Sequence, residues 1–245
     1  NEAGQLVFYF LHPAQVTAAG NAYGADLTGV TILLDVGHGY KVPGAYGMDP
    51  NHPEGERNYY LATLLRTELE RMGATVVLNR GPYDDLAAEE RVQGLKALKP
   101  DLCIAIHHDS NGSSKPNGFG AFHSTLFSVD AARYVYEATM GAGIYNEKPE
   151  GHRSRFEWHY YFMARMSDCP VVLTENGFMS SPLDHTGIVD HDTNLRKAQA
   201  IAAGVARYFL SIRLPEYETP GDIIDPTAPP AALPDAILPT EKEEL

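Results

Sequence analysis

The stretch "TILLDVGHGYKVPGAYG", residues 31–47, decides how the chain is read. An apolar run of strand character ends in Asp35, and a histidine, His38, follows between two glycines. A turn has use for glycine but none for histidine, so the residue calls for a chemical explanation. Gly37 and Gly39 would let the backbone turn sharply and carry the His38 imidazole to the sheet edge.

The same pattern returns twice further along. "LCIAIH" ends in His107, and "VVLTE" ends in Glu175. Around these runs, apolar β-like segments alternate with helical periods. Strands are predicted at "VTILLDV", "ATVVLN" (74–79), "DLCIAI" (101–106), "GFGAFH" and "VVLT" (171–174). Between them, helices are predicted over Leu61, Leu64, Leu65, Leu69 and Met72, over Leu86 to Leu98, after a capping Ser128, and over Ala198 to Ile212. This alternation predicts an α/β fold, a single domain with a mainly parallel central sheet flanked by helices on both faces. In such sheets, active sites form outside the carboxyl ends of the strands, so His38, His107 and Glu175 are expected to converge there.

Glu56 opens the first long helix, in "EGERNYYLATLL". It either complements the helix N-terminus or ligates a metal from the loop–helix junction. Two histidines with one carboxylate form a His₂Glu catalytic zinc set, which leaves a position open for water. His52 and Glu54 are reserve ligands. A carboxylate at the end of a buried run, such as Glu175, is costly unless it has a task or a partner, Arg80 or Arg165 being the candidates. Its chemical task would be that of a general base. His107 and His108 are adjacent, so their side chains point in different directions along a strand.

Composition narrows the classes. The 245 residues carry a net charge of −13, which disfavours binding to nucleic acid or to an anionic membrane surface. No apolar run is long enough for a membrane span, and the first residues lack the basic and apolar regions of a signal peptide. Cys103 and Cys169 lack the spacing of a zinc ribbon or redox pair and read as small buried hydrophobes. Residues 1–29 are an N-terminal extension. Residues 213–245 hold seven of the 17 prolines and a charge of −6, and read as an acidic, Pro-rich tail or linker after a catalytic domain over 30–212. The sequence carries no signal for an oligomeric state.

Taken in order, the motifs resemble those of the zinc-dependent N-acetylmuramoyl-L-alanine amidases of the amidase-3 type. "DVGHG" followed by "GAYG" resembles that family's first strand end, and "AIHHD" its second histidine element. "PVVLTENGFMS" resembles the element that carries its catalytic glutamate. The family's helix glutamate, five residues before a leucine, is matched by Glu56 and Leu61. The resemblance covers roughly residues 30–212. It implies one zinc ion held by His38, Glu56 and His107, with Glu175 as the catalytic acid–base. Asp35, as an acceptor orienting His38, joins His108 and Asn176 as supporting or substrate-side residues. It further implies hydrolysis of the amide between N-acetylmuramic acid and L-alanine of the peptidoglycan stem, in the cell envelope or outside the cell. The alternative is another zinc hydrolase on a related scaffold, a stem-peptide carboxypeptidase or a deacetylase. Val36, Tyr40 and His108 depart from the family pattern. The short loop from Gly47 to Glu56 has no room for the inserted helix that blocks the site in regulated members, which implies an open site.

Overall fold

A computed structural model of the chain describes residues 14, 16–146, 155–157 and 162–212. The acidic tail from 213 and the "LVFYFL" run (6–11) lie outside the described residues. Of the predicted extension, β1 (Thr17–Ala18) and β2 (Ala25–Asp26) form a small antiparallel pair. The fold proper comprises β3 (Thr31–Val36), α1 (Glu54–Glu70), β4 (Thr75–Leu78), α2 (Ala88–Leu98), β5 (Leu102–Asp109) and β6 (Phe119–His123). It continues with α3 (Val129–Gly141), β7 (Arg155–Glu157), β8 (Val171–Phe178), α4 (Pro182–Val189) and α5 (His191–Ser211).

The sheet has six strands in the order β4-β3-β5-β8-β6-β7. The four consecutive strands β4, β3, β5 and β8 are parallel, and β6 runs against β8 with β7 parallel to β6. The predicted α/β class and mainly parallel sheet are therefore found, with helices on both faces. Parallel strands covered on both faces read as continuous apolar runs, as "TILLDV" and "LCIAI" do.

Alternate residues of β3 and β5 serve different cores. Ile32, Leu34, Ile104 and Ile106 pack with α1, α3 and α5, while Leu33, Cys103 and Ala105 pack with Leu95 of α2 and Met163 of a single 3-10 turn. Three helices thus cover one face and one helix the other. α3 and α5 approach closely because a Cβ on Gly204 would fall 2.5 Å from the Cα of Val135. Any side chain there would force the two helices apart.

One local expectation needs correction. Ser128 does stand at the N-terminus of α3, but its hydroxyl does not cap the helix; it accepts from the Val171 amide at 3.0 Å and bonds Thr125 Oγ1. α4 was not anticipated, because "PLDHTGIV" has no clear apolar period. The loop from 37 to 53, between β3 and α1, holds no helix. It is this loop that delivers the first site residue to the carboxyl edge of the sheet.

Candidate active site

β3 and β5 are neighbours, and their carboxyl ends bring His38 and His107 together with ring centres 5.1 Å apart and planes at 77°. The third member is Glu54, not Glu56. The Glu54 carboxylate lies 3.0 Å from His38 Nε2 through Oε2 and 3.1 Å from His107 Nδ1 through Oε1. Glu54 is the first residue of α1 and is buried, whereas the Glu56 side chain is 57% exposed and faces His52 at 3.9 Å. Two residues along a helix turn a side chain about 200°, so only one of these glutamates can face the sheet. His52 is tied to Asp49 at 2.8 Å and stays outside the cluster.

The ligand-capable atoms of His38, Glu54 and His107 all lie within 4.8 Å of one another, the one such group among the described residues. Burial would raise the Glu54 pKa, but the hydrogen bonds and charges of His107 and His38 overcome it and hold the carboxyl well below its ordinary range. A buried carboxylate kept ionised beside two imidazoles is the donor set that a divalent cation of zinc type requires.

The expected turn is built differently from the prediction. Neither flanking glycine has a positive φ; His38 itself adopts the left-handed conformation, at φ 60°. A non-glycine residue held there carries strain of roughly 1 kcal/mol or more, of the kind that gathers at functional sites. Gly37 is needed for space, since a Cβ on it would lie 2.3 Å from His107 Cε1.

Glu54 is held from behind. His108 N–H donates to Glu54 Oε1 at 3.2 Å, and Ala45 N–H donates to Oε2 at 3.2 Å. Asn58, one helical turn on and fully buried, donates through Nδ2 to Glu54 Oε1 at 3.3 Å and to the Gly37 carbonyl at 3.2 Å. Its Oδ1 must then accept, which assigns the proton in the 2.8 Å contact to His108 Nδ1. Burial, with the charge of Lys197, pushes the His108 pKa well below the ordinary histidine value, so this ring is neutral. His108 is therefore a support of the third group. Arg80, also buried, donates to the carbonyls of Val36, Gly37 and Gly55, joining the loops that carry His38 and Glu54. Asn58 and the bracing by Arg80 were missed from sequence; the i, i+4 spacing of Glu54 and Asn58 on one helix face was the available signal.

Asp35 does not orient His38. Its side chain is fully buried, accepts from Arg91 through both oxygens and takes a further bond from Asn79 at 2.6 Å. Strand alternation sends it to the α2 face with Leu33. Asn176 donates to the His107 carbonyl at 2.9 Å and to Thr174 Oγ1 at 3.0 Å, tying β8 to β5 beneath the site. Glu175 lies within β8 rather than at its end and is paired in register with His107, so the two side chains leave the same face of adjacent parallel strands. Glu175 is 4% exposed.

A cleft of about 440 Å³ opens beside the two histidines, lined by Gly39 and Val42 on one side and by Asp85, Leu86, Ala87 and Arg91 on the other. A slightly larger hollow, about 500 Å³, lies at the opposite, amino end of β5 and β8, around Pro100, Phe127 and Pro170. Size favours the second and chemistry the first; the cleft lined by His38 and His107 is the candidate site.

Known proteins share the sequence and the fold of this chain. The chain is 29% identical to the N-acetylmuramoyl-L-alanine amidase LytC of Bacillus subtilis, over 80% of this chain and 39% of LytC. It is 31% identical to the probable cell wall amidase LytH of Staphylococcus epidermidis, over 81% of this chain and 64% of LytH. The chain thus spans between about two fifths and two thirds of these relatives. Among solved structures, the catalytic domain of CwlV, an N-acetylmuramoyl-L-alanine amidase from Bacillus (Paenibacillus) polymyxa var. colistinus, superposes with a TM-score of 0.66 at 28% identity. That match covers 73% of this chain and 97% of the domain. Ami1 from Mycobacterium smegmatis, at 21% identity and a TM-score of 0.68, shares the fold over 76% of this chain and all of its own. The family model Amidase_3, N-acetylmuramoyl-L-alanine amidase, matches residues 32–207, from β3 into α5, and the chain belongs to that family.

Proposed function

We propose that the protein is a peptidoglycan hydrolase that cleaves the amide between the lactyl group of N-acetylmuramic acid and L-alanine of the stem peptide. The observation that carries this reading is the meeting of His38, Glu54 and His107 with Glu175 on the neighbouring strand. Two imidazole nitrogens and one carboxylate oxygen suit a single zinc ion and leave coordination free for reacting groups. When bound, zinc supplies a Lewis acid that polarises the scissile carbonyl and makes a water molecule a better nucleophile.

The remaining work belongs to the chain. His108 and Asn58 fix the rotamer of Glu54, and Gly37 leaves room for the His107 ring. A Glu175 carboxylate oxygen takes the proton from the attacking water and delivers it to the amide nitrogen as the C–N bond breaks. The products are a free lactyl carboxylate and a stem peptide with an amino terminus. Glu175 is shielded by β5 and β6, which keeps bulk water from competing for that proton. The loop from 37 to 53 holds no helix, in keeping with a site that works without an activator. Action on the cell wall places the protein in the envelope or outside the cell. Among the described residues, no helix is long and apolar enough to cross a membrane. The acidic 213–245 segment is read as a tail or linker beyond the catalytic unit.

Incubating the zinc-loaded protein with purified muropeptides tests the proposal. Stem peptide with a free N-terminal L-alanine is the expected product. Loss of a C-terminal amino acid, or release of acetate, would assign the site to a carboxypeptidase or a deacetylase instead.

A further inference from the structure

Tyr40 and Tyr83 stand apart from the rest of the site. They are 64% and 76% exposed, yet they meet edge to face with ring centres 5.6 Å apart and planes at 83°. Tyr40 follows Gly39 and Tyr83 comes two residues before Asp85, and both of those residues line the cleft beside His38 and His107. The pair therefore flanks that cleft, next to two of its lining residues.

The loops beneath the rings are braced. Asp85 accepts from the Lys41 amide at 2.8 Å and the Val42 amide at 3.2 Å, and Asp84 accepts from Gly81 N–H at 2.9 Å. Tyr40 N–H donates to the Asp84 carbonyl at 3.3 Å. The bonds from Tyr40, Lys41 and Val42 join the loop after β3 to the loop after β4 and hold the backbones beneath the two rings together. Nothing in the fold needs the rings, which bury little and leave aromatic faces open to water, and exposed apolar surface beside a cleft marks a binding site.

The occupant follows from the chemistry of the proposed bond, which joins a sugar to a peptide. With the amide at the histidines, one rim must face a hexosamine ring. A pyranose presents a flat array of C–H groups, and these suit the electron-rich face of tyrosine. The charge of the protein points the same way: at −13 it cannot rely on Coulomb attraction to an anionic wall, whereas ring stacking is neutral. Of the other exposed apolar residues of this region, Val42 lines the cleft beside Gly39, whereas Tyr46 and Met48 lie across the site, where the Met48 amide bonds the Met179 carbonyl after β8. That rim is left for the peptide.

Resting on the amidase reading, we propose that Tyr40 and Tyr83 form a saccharide subsite that stacks an N-acetylhexosamine ring of the glycan strand next to the scissile bond.

The test uses β-1,4-linked N-acetylglucosamine tetramer, a neutral glycan without peptide, titrated into the zinc-loaded full chain and followed by NMR of the tyrosine rings. The expected result is that the Tyr40 and Tyr83 resonances shift on binding. Tyr40→Ala and Tyr83→Ala should each weaken the apparent Kd by roughly three- to tenfold, while Tyr40→Phe retains it. The affinity should change little between low and high salt. Unshifted Tyr40 and Tyr83 resonances at saturating tetramer, alanine variants that bind as wild type, or shifts produced by free stem peptide instead would each overturn the subsite. Folding of the variants is checked by their melting temperatures, and Tyr40→Phe keeps the ring if Tyr40→Ala fails to fold. Stem-peptide release from muropeptides is scored separately, so an amidase without this subsite and a protein that is no amidase give different results.

Discussion

Replacing Lys197 by methionine should change stability with a sign that depends on pH. Lys197 lies on α5 and is 1% exposed. Its Nζ donates to the Asn176 carbonyl at 3.0 Å and lies 5.5 Å from the centre of the Tyr145 ring. The charged and titratable groups around it are Asp184 of α4, His108 of β5 and Tyr145. Burial pulls the ammonium down from 10.5 to about 7, partly offset by Asp184. Between about pH 7 and 10.5 the unfolded chain therefore holds a proton that the folded chain lacks, and stability rises with pH across that window. At about 1.4 kcal/mol for each pH unit, the penalty is about 4 kcal/mol at pH 7 and vanishes above pH 10.5. Methionine removes the penalty but leaves the Asn176 carbonyl without its donor, at a cost of about 1–3 kcal/mol. Lys197→Met should thus be more stable than wild type by about 1–3 kcal/mol at pH 7, and less stable by a similar amount near pH 10.5. Urea unfolding of both proteins at pH 7, 9 and 10.5 with saturating zinc measures the difference. A difference that does not change with pH would refute the reasoning, because it would mean that the ammonium is solvated as well in the fold as in water.

Glu54→Gln should weaken zinc binding by at least about 100-fold, while Glu56→Gln should leave it unchanged, as read by competition with a chromophoric chelator. The opposite result would return the ligand role to Glu56. Glu175→Gln should hold zinc as wild type does and lose roughly 10²- to 10⁴-fold in turnover on muropeptides; a loss of zinc with the turnover would make Glu175 a ligand instead. Arg91→Ala leaves the Asp35 carboxylate buried without its ion pair and should destabilise the fold by about 3–5 kcal/mol in urea unfolding with zinc affinity intact. A parallel drop in zinc affinity would show that Asp35 does act on His38.

The strands were legible because a sheet covered on both faces demands long apolar runs, which few other elements produce. Their ends were not, because β5 and β8 continue their ladder through His107–Asp109 and Glu175–Phe178, where polar residues interrupt the apolar runs. The helix glutamate was misread although the sequence held the answer. Glu54, Asn58, Leu61, Leu65 and Leu69 follow one another at spacings of four or three and form the buried stripe of α1, while Glu56 falls on its exposed side. Leu61 lies seven residues after Glu54, on the helical period, and five after Glu56, off it. The role expected of Asp35 failed for a related reason: alternation along β3 puts it on the same side as Leu33, facing α2. The left-handed backbone at His38 had no signal, since two neighbouring glycines invite the assumption that they make the turn.

The same alternation explains the paired residues that looked redundant in the sequence. In "HH" at 107–108, one imidazole leaves β5 toward Glu54 from the site side, and the next leaves toward α1 and meets Asn58. Both end on the same Glu54 Oε1, His107 through Nδ1 and His108 through its backbone N–H and, indirectly, Asn58. One carboxylate oxygen is thus fixed from both sides of a single strand. In "EN" at 175–176, Glu175 is in register with His107 while Asn176 donates across to the His107 carbonyl, holding the two strands at that register. The proposed reacting groups and their supports are neighbours in sequence because a strand separates them by direction. A change at His108 or Asn176 should therefore act through the geometry of Glu54 or Glu175 and not through contact with substrate.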